Sequence, residues 1–273
     1  MMIDLAPNNP YGLTLRSPVL TAAGCFGYGV EYARIVDVER IGAIVTTSTT
    51  PQRRRVARPP RLVETPAGVL AIGPWPNPGL DRVIERHAPA WATWRTPVLL
   101  SIVCASPAEY AAVAAALEGV EGIAGLELNL AEHAEWAAAI VVATRAATQL
   151  PLLAKLPALE AGLAELARAV AAAGADAITA CAGPRAMAID PHSGDRLEGM
   201  LCGPALRPLA LRRVAEVAAA VDVPVIGCGG IATAEDARQF LAVGAAAVQV
   251  GAALLADPEA PVRIAEELGS FSE

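Results

Sequence analysis

The sequence predicts a (β/α)8 barrel, a TIM barrel, and three observations carry that expectation. Eight short apolar runs recur along the 273 residues. Ala-rich segments with helical periodicity separate them, and glycine clusters close the last two runs. Near-continuous apolar strands alternating with helices indicate a parallel sheet covered on its faces. Eight such units in about 250 residues match the count and size of this barrel. A doubly wound open sheet is the competing architecture, but no GxGxxG pattern follows the first run. No linker or low-complexity stretch divides the chain, so one domain is expected over 1–273.

The strands are expected at 18–24 ("PVLTAAG"), 43–49 ("AIVTTST"), 98–103 ("VLLSIV") and 125–130 ("GLELNL"). Four more are expected at 151–156 ("PLLAKL"), 177–182 ("AITACA"), 224–230 ("PVIGCGG") and 247–254 ("AVQVGAAL"). Between them "SPAEYAAVAAALEGV" and "TAEDARQFLAVGA" read as helices, with Ser106 and Thr233 placed to cap their first turns. Two inserts are too long for ordinary βα connections. One, at 51–79, is rich in Pro and Arg and follows the second strand. The other, at 183–208, follows the sixth. Both fall at the C-terminal rim, where barrels of this kind build their sites, and both read as lid loops over a pocket.

Composition narrows the function. Hydrophobic residues make up 54% and charged residues 18%, so a densely buried protein is expected. The net charge of −7, with no basic run longer than Arg53-Arg54-Arg55, argues against nucleic-acid or anionic-membrane surfaces. No apolar run reaches the roughly 18 residues of a membrane helix, and the N-terminus lacks a signal-peptide pattern. Five cysteines, at 25, 104, 181, 202 and 228, show no CxxC pair or metal spacing. They read as reduced thiols of a cytoplasmic protein, and no metal site is expected.

Of 21 basic residues 20 are Arg, and the single lysine is Lys155, at the end of the fifth strand. A lysine is a slim point charge where arginine is a broad fork, so a tight site with one acceptor can demand it. Gly229 and Gly230 precede a helix starting near Thr233, and Gly251 and Ala252 follow the eighth strand. Backbone N–H groups bared in this way bind phosphate without a basic side chain. The loops after strands 7 and 8 are the usual phosphate site of the barrel.

The segments "AAGCFGYG" (22–29), "PPRLVETPAGVL" (59–70), "NPG" (77–79), "AMAID" (186–190), "CGPALRPLALR" (202–212) and "VIGCGGI" (225–231) together resemble the dihydroorotate dehydrogenase family of pyrimidine biosynthesis. The nearest branch is the NAD-linked one. The resemblance implies a flavoprotein oxidoreductase with FMN at the barrel mouth, a small-molecule substrate, a homodimer, and an iron–sulfur flavoprotein subunit as electron-transfer partner. Carried over by position, Ala23 and Gly24 lie along the isoalloxazine ring with Ser48 and Asn129 nearby. Lys155 stands at its N1/O2 edge, where a cation stabilises the reduced ring. Gly203 approaches the cofactor, and Gly229, Gly230, Gly251 and Ala252 hold its phosphate, Ala252 replacing the usual Thr.

The substrate half departs from the family. An Asn-x-Ser-Cys-Pro-Asn sequence is expected at the end of strand 4, its Cys acting as base. Here Asn129 is followed by Leu-Ala-Glu-His-Ala, which puts Glu132 at the base position and Ala134 at the second Asn. The strand-2 lysine is Thr47, the residues after strand 6 are Ala182 and Gly183, the Asn after "ETPAG" is Ala71, and the glycine-rich lid after strand 4 is missing. A carboxylate can serve as general base. The reading preferred for Glu132, however, is a cap on the following helix, and for His133 a surface residue. Dihydroorotate oxidation is therefore in question. The alternatives are a flavin enzyme with another substrate, a non-catalytic FMN-binding or scaffold paralogue and, least consistent with the acidic balance, a tRNA-modifying flavin barrel.

Overall fold

The computed structural model describes residues 2–56, 58–158, 161–180, 182–190 and 192–270. The chain opens with a small antiparallel hairpin, β1 (Ile3–Asp4) and β2 (Thr14–Leu15). The barrel follows with β3 (Val19–Thr21) and β4 (Ile44–Val45). The first insert then supplies β5 (Leu62–Thr65) and β6 (Gly68–Ala71). The barrel resumes with β7 (Val98–Ile102), β8 (Gly125–Asn129), β9 (Leu152–Lys155) and β10 (Ala177–Ala180). The second insert supplies β11 (Arg185–Ile189) and β12 (Arg196–Cys202), and β13 (Val225–Cys228) and β14 (Ala247–Val250) finish the barrel.

The eight barrel strands pair in parallel in the order β3-β14-β13-β10-β9-β8-β7-β4. A parallel bridge from Leu20 to Ala43 joins the two ends, as expected for a closed (β/α)8 barrel. All eight expected strands are present, though each is shorter than its apolar run. Cys181, in the sixth run, lies outside the described residues.

Among the described residues seven α-helices cover the barrel: α1 (Leu80–Trp91), α2 (Pro107–Leu117), α3 (Ala137–Arg145), α4 (Leu163–Ala172), α5 (Arg207–Ala218), α6 (Ala234–Ala242) and α7 (Ala260–Glu267). The crossover from β3 to β4 has no α-helix among its residues. Gly24, Gly27 and Gly29 adopt φ of +89°, +53° and +81° there, and only a 3-10 turn, Val38–Arg40, precedes β4. Three left-handed residues within six positions cannot propagate a helix. The expected caps are present: Ser106 accepts from the Glu109 N–H, and Thr233 and Asp236 form a reciprocal capping box.

The two inserts are strands rather than loops, and they pair with each other. β12 runs antiparallel to both β11 and β6, giving a four-stranded sheet β11-β12-β6-β5. The backbones meet closely at Gly68 and Gly203, where a Cβ built on Gly203 would stand 2.6 Å from the Gly68 Cα.

Two cores divide the interior. The larger lies between strands and helices, with Phe26, Trp91, Tyr110 and Phe240 fully buried. The smaller fills the lower barrel with Leu20, Val45, Leu99, Leu153 and Ile226, plugged by Leu5, Leu13 and Leu15 from the N-terminal segment. Side chains two residues apart on a strand share a face. One step above Leu99, Leu153, Ala177 and Ala247 therefore come Ser101, Lys155, Thr179 and Gln249, all buried. The barrel interior thus changes from apolar to polar toward its C-terminal mouth. Among the described residues no helix is long and apolar enough to cross a membrane.

Candidate active site at the barrel mouth

The polar layer centres on Lys155, the last residue of β9. Its Nζ donates to Gln249 Oε1 at 3.0 Å and faces Glu127 Oε1 at 3.6 Å. Gln249 Nε2 in turn donates to Glu127 Oε2 at 2.6 Å, and Thr179 Oγ1 lies 3.5 Å from the same oxygen. Glu127 is fully buried, and its Oε1 has no hydrogen-bond partner, only the lysine charge. Burial works against the Lys155 charge, but Glu127 and the nearby thiols Cys228 and Cys25 outweigh it and hold the ammonium above the ordinary lysine range. The lysine is thus a buried cation held at the C-terminal end of β9 by Gln249 and Glu127.

A second chain of hydrogen bonds fixes the rim beside it. Asn129 pairs in register with Lys155. Asn129 Nδ2 donates to Ser48 Oγ at 3.1 Å, and Ser48 shares a 2.9 Å bond with Ser101. The Tyr110 hydroxyl donates to the Asn129 carbonyl at 2.7 Å. Ser48 and Asn129 are half-buried and held from below.

The glycines meet on the same rim. A Cβ on Gly251 would lie 3.3 Å from the Ala22 Cβ and 3.8 Å from Cys25 Sγ, which sets the β14 loop against the segment holding Ala23 and Gly24. A Cβ on Gly230 would fall 2.9 Å from the Gly203 carbonyl oxygen, and Gly230 adopts φ +76°. Trp75 of the first insert reaches Gly24, its Nε1 3.8 Å from a Cβ built there. Among the described residues the N–H groups of Gly229, Gly230, Gly251 and Ala252 donate to no backbone carbonyl.

The first turn of α6 is not open to a ligand in the same way. Asp236 Oδ2 accepts from the N–H groups of Ala232 and Thr233 at 3.0 Å each, and Asp236 also pairs with Arg207. Asp236 thus takes two of the donors leading into α6, while the N–H groups of Ala234 and Glu235, like those of the two glycine turns, donate to no backbone carbonyl among the described residues.

Glu132 is not hydrogen-bonded into this cluster, although its charge acts on Tyr110 and helps to raise the phenol. It is exposed and makes no hydrogen bond or ion pair among the described residues. It is also not a cap: the 3-10 turn Ala134–Trp136 and α3 both begin without a side-chain hydrogen bond. The capping role expected from sequence is replaced by a turn in which the His133 N–H donates to the Leu130 carbonyl at 3.0 Å. His133 is half-buried between Tyr110 and Trp136 rather than free on the surface. No group of three His, Cys, Asp or Glu among the described residues is placed to hold a metal.

Sequence reasoning singled out Lys155 but not its partners. Glu127 and Gln249 each stand as a lone polar residue in an apolar strand, in "GLELN" and "AVQV". That was the available signal, since a charge inside a barrel strand needs a counter-charge.

Comparison with known proteins agrees with this arrangement. Residues 6–271 match the family model for dihydroorotate dehydrogenase. The chain is 42% identical to the "Dihydroorotate dehydrogenase B (NAD(+)), catalytic subunit" of Trichlorobacter lovleyi, covering 93% of this chain and 89% of that protein. The proteins of the same description from Desulforudis audaxviator and Pelobacter propionicus are each 40% identical, covering 95% and 100% of this chain and 90% and 93% of theirs. With the family pattern spanning nearly the whole barrel, the chain belongs to the dihydroorotate dehydrogenase family.

Proposed function

We propose that this chain binds FMN at the barrel mouth and acts as a flavin oxidoreductase whose substrate side has diverged from dihydroorotate. The observation that carries the reading is the contrast between a complete Lys155–Gln249–Glu127 network and an exposed Glu132 with no hydrogen bond or ion pair among the described residues. The residues fit the cofactor by two tests on the geometry. Unclaimed N–H groups at Gly229, Gly230, Gly251 and Ala252 suit a phosphate. The glycine turns they belong to leave little or no room for a Cβ.

Bound FMN would supply a two-electron acceptor, the hard chemistry of the reaction. The chain's own part is to hold and orient it. Lys155 presents a fixed positive charge, Ser48 and Asn129 present a rigid polar rim, and Trp75 with the insert sheet limits water at Gly24. On the substrate side Thr47, Ala134, Ala182 and Gly183 offer fewer donors than a planar anion such as orotate needs. Each polar edge left unpaired costs about 1–3 kcal/mol. A flavin enzyme with a smaller or less polar substrate follows from this set, and an iron–sulfur electron-transfer subunit is the proposed partner, by analogy with relatives described as catalytic subunits.

Purified protein tests both halves. Yellow protein, or colourless protein that takes up added FMN, is the expected result for the cofactor, and failure to take up FMN ends that assignment. Anaerobic mixing of the FMN-loaded protein with millimolar dihydroorotate should leave the flavin absorbance unchanged within a second. Bleaching on that timescale would restore dihydroorotate as substrate.

A further inference from the structure

We infer that the outer side of the first insert and the start of α1 form a binding site for a polyphosphate-bearing anion. A cavity of about 630 Å³ is lined by Arg53, Arg54, Arg55, Arg82 and Arg86, with Asn77 in its wall. Five arginines thus share one surface in a protein whose net charge is −7. None of the five makes an ion pair among the described residues. Asp81 and Glu85, the acids on the same helix, are exposed and bond to none of them.

The arrangement is unfavourable without a ligand. Arg82 sits in the first turn of α1, where the helix dipole disfavours a cation. Arg86 follows at i+4 on the same face, so the two like charges repel. Arg53, Arg54 and Arg55 are consecutive, and Arg54 is locked against the Asn77 strand segment by backbone bonds of 3.0 and 3.2 Å.

Two further observations point to an anion. The α1 N-cap is Gly79, with no side-chain cap, and the N–H groups of Asp81 and Arg82 donate to no backbone carbonyl among the described residues. Asn77 is 5% exposed; its Oδ1 accepts from the Thr50 N–H, the Thr50 hydroxyl and the Gly79 N–H, while its Nδ2 has no partner. Just beneath the wall lies a donor for which the described residues provide no acceptor.

Chemistry and shape select the occupant. Guanidinium forks pair bidentately with phosphate oxygens. A single phosphate, at −2, answers only about two of five charges, whereas a linked di- or triphosphate answers most of them. The volume falls within the usual range of small-molecule sites and has room for a nucleoside carrying the phosphates.

Isothermal titration of the purified full-length protein with inorganic phosphate, tripolyphosphate and a nucleoside triphosphate, at constant ionic strength, decides the matter. Tripolyphosphate is expected to bind at least tenfold more tightly than phosphate and to weaken as salt rises. A nucleoside triphosphate binding more tightly still assigns the ligand as a nucleotide; equal affinity assigns the phosphates alone. Arg82→Ala/Arg86→Ala should reduce tripolyphosphate affinity at least tenfold while retaining the native circular dichroism spectrum. If that variant does not fold, Arg53→Ala/Arg55→Ala, at exposed positions, must give the same loss. Tripolyphosphate binding no tighter than phosphate, or variants binding as the parent does, overturns the site. Binding of poly-glutamate in place of tripolyphosphate also overturns it, in favour of a protein-docking surface.

Discussion

Lys155 Nζ and Glu127 Oε1 stand 3.6 Å apart in the polar layer of the barrel, bridged by Gln249, which accepts from the first and donates to the second carboxylate oxygen. Both side chains are buried, so each needs the other. Removing one member of such a pair strands a charge and costs about 3–5 kcal/mol. Lys155→Met should therefore destabilise the protein by that order. The double variant Lys155→Met/Glu127→Gln should regain at least half of the loss. Urea unfolding midpoints measure both, and a double variant as unstable as the single would show that the lysine stabilises by packing alone.

The same pair sets a pH dependence. Burial opposes the Lys155 charge, but Glu127, Cys228 and Cys25 outweigh it, so the folded pKa lies above the ordinary value of 10.5. A group raised on folding contributes its stability fully below the unfolded pKa and loses it as pH climbs through the folded one. The stability gap between the parent and Lys155→Met should still be present at about pH 9.5 and shrink only above about 10.5. A gap that closes between pH 7 and 9 would contradict the raised value.

Gly203 and Gly68 couple the two inserts. Gly203 adopts φ +101°, and a Cβ there would stand 2.6 Å from the Gly68 Cα. Gly203→Ala forces a left-handed alanine, at about 1–2 kcal/mol, and a backbone clash, at about 1–3 kcal/mol. The variant should lose roughly 2–5 kcal/mol in all, seen as a lower urea midpoint, and should take up FMN less tightly. Parent-like stability would mean that the insert sheet yields freely.

Much of this architecture was legible because periodicity and glycine placement are local signals. The apolar runs located every barrel strand, and Ser106 and Thr233 marked true helix starts. The pairing of the inserts was not legible: Gly68–Ala71 and Arg196–Cys202 are more than 120 residues apart, and no local pattern encodes their register. Residues 22–36 were harder in another way, since only backbone angles reveal that three glycines exclude a helix. At the site, Lys155 stood out as a unique residue, but its partners needed the barrel to bring Glu127 and Gln249 together across 122 positions. Asp236 added a detail the sequence did not show, taking the Ala232 and Thr233 N–H groups that lead into α6.

Three thiols share the mouth with Lys155. Burial pushes Cys25 up to about 12 and Cys202 up to about 11, and it also raises Cys228. Lys155 works in the opposite direction on all three but does not overcome burial. The thiolate is the reactive form, so these cysteines should resist iodoacetamide at pH 8 in the native protein and react after denaturation. Peptide mapping by mass spectrometry reads each site separately. Rapid native labelling of Cys25 would mean that the mouth opens widely to solvent.

Carried over by position, Glu132 would take the place of the family's base, but it lacks the setting of one. A working general base must reach the proton that it removes, and its loss typically slows the reaction by about 10²–10⁴-fold. Here the carboxylate is exposed, caps nothing and pairs with nothing among the described residues. Glu132→Gln should then change stability by less than about 0.5 kcal/mol. It should also leave any flavin reduction by dihydroorotate at the parent's low rate, since there is no positioned proton transfer to lose. Anaerobic stopped-flow absorbance on the FMN-loaded parent and variant reads both rates side by side. A hundredfold drop in the variant would make Glu132 the base after all, and would return dihydroorotate to the barrel mouth.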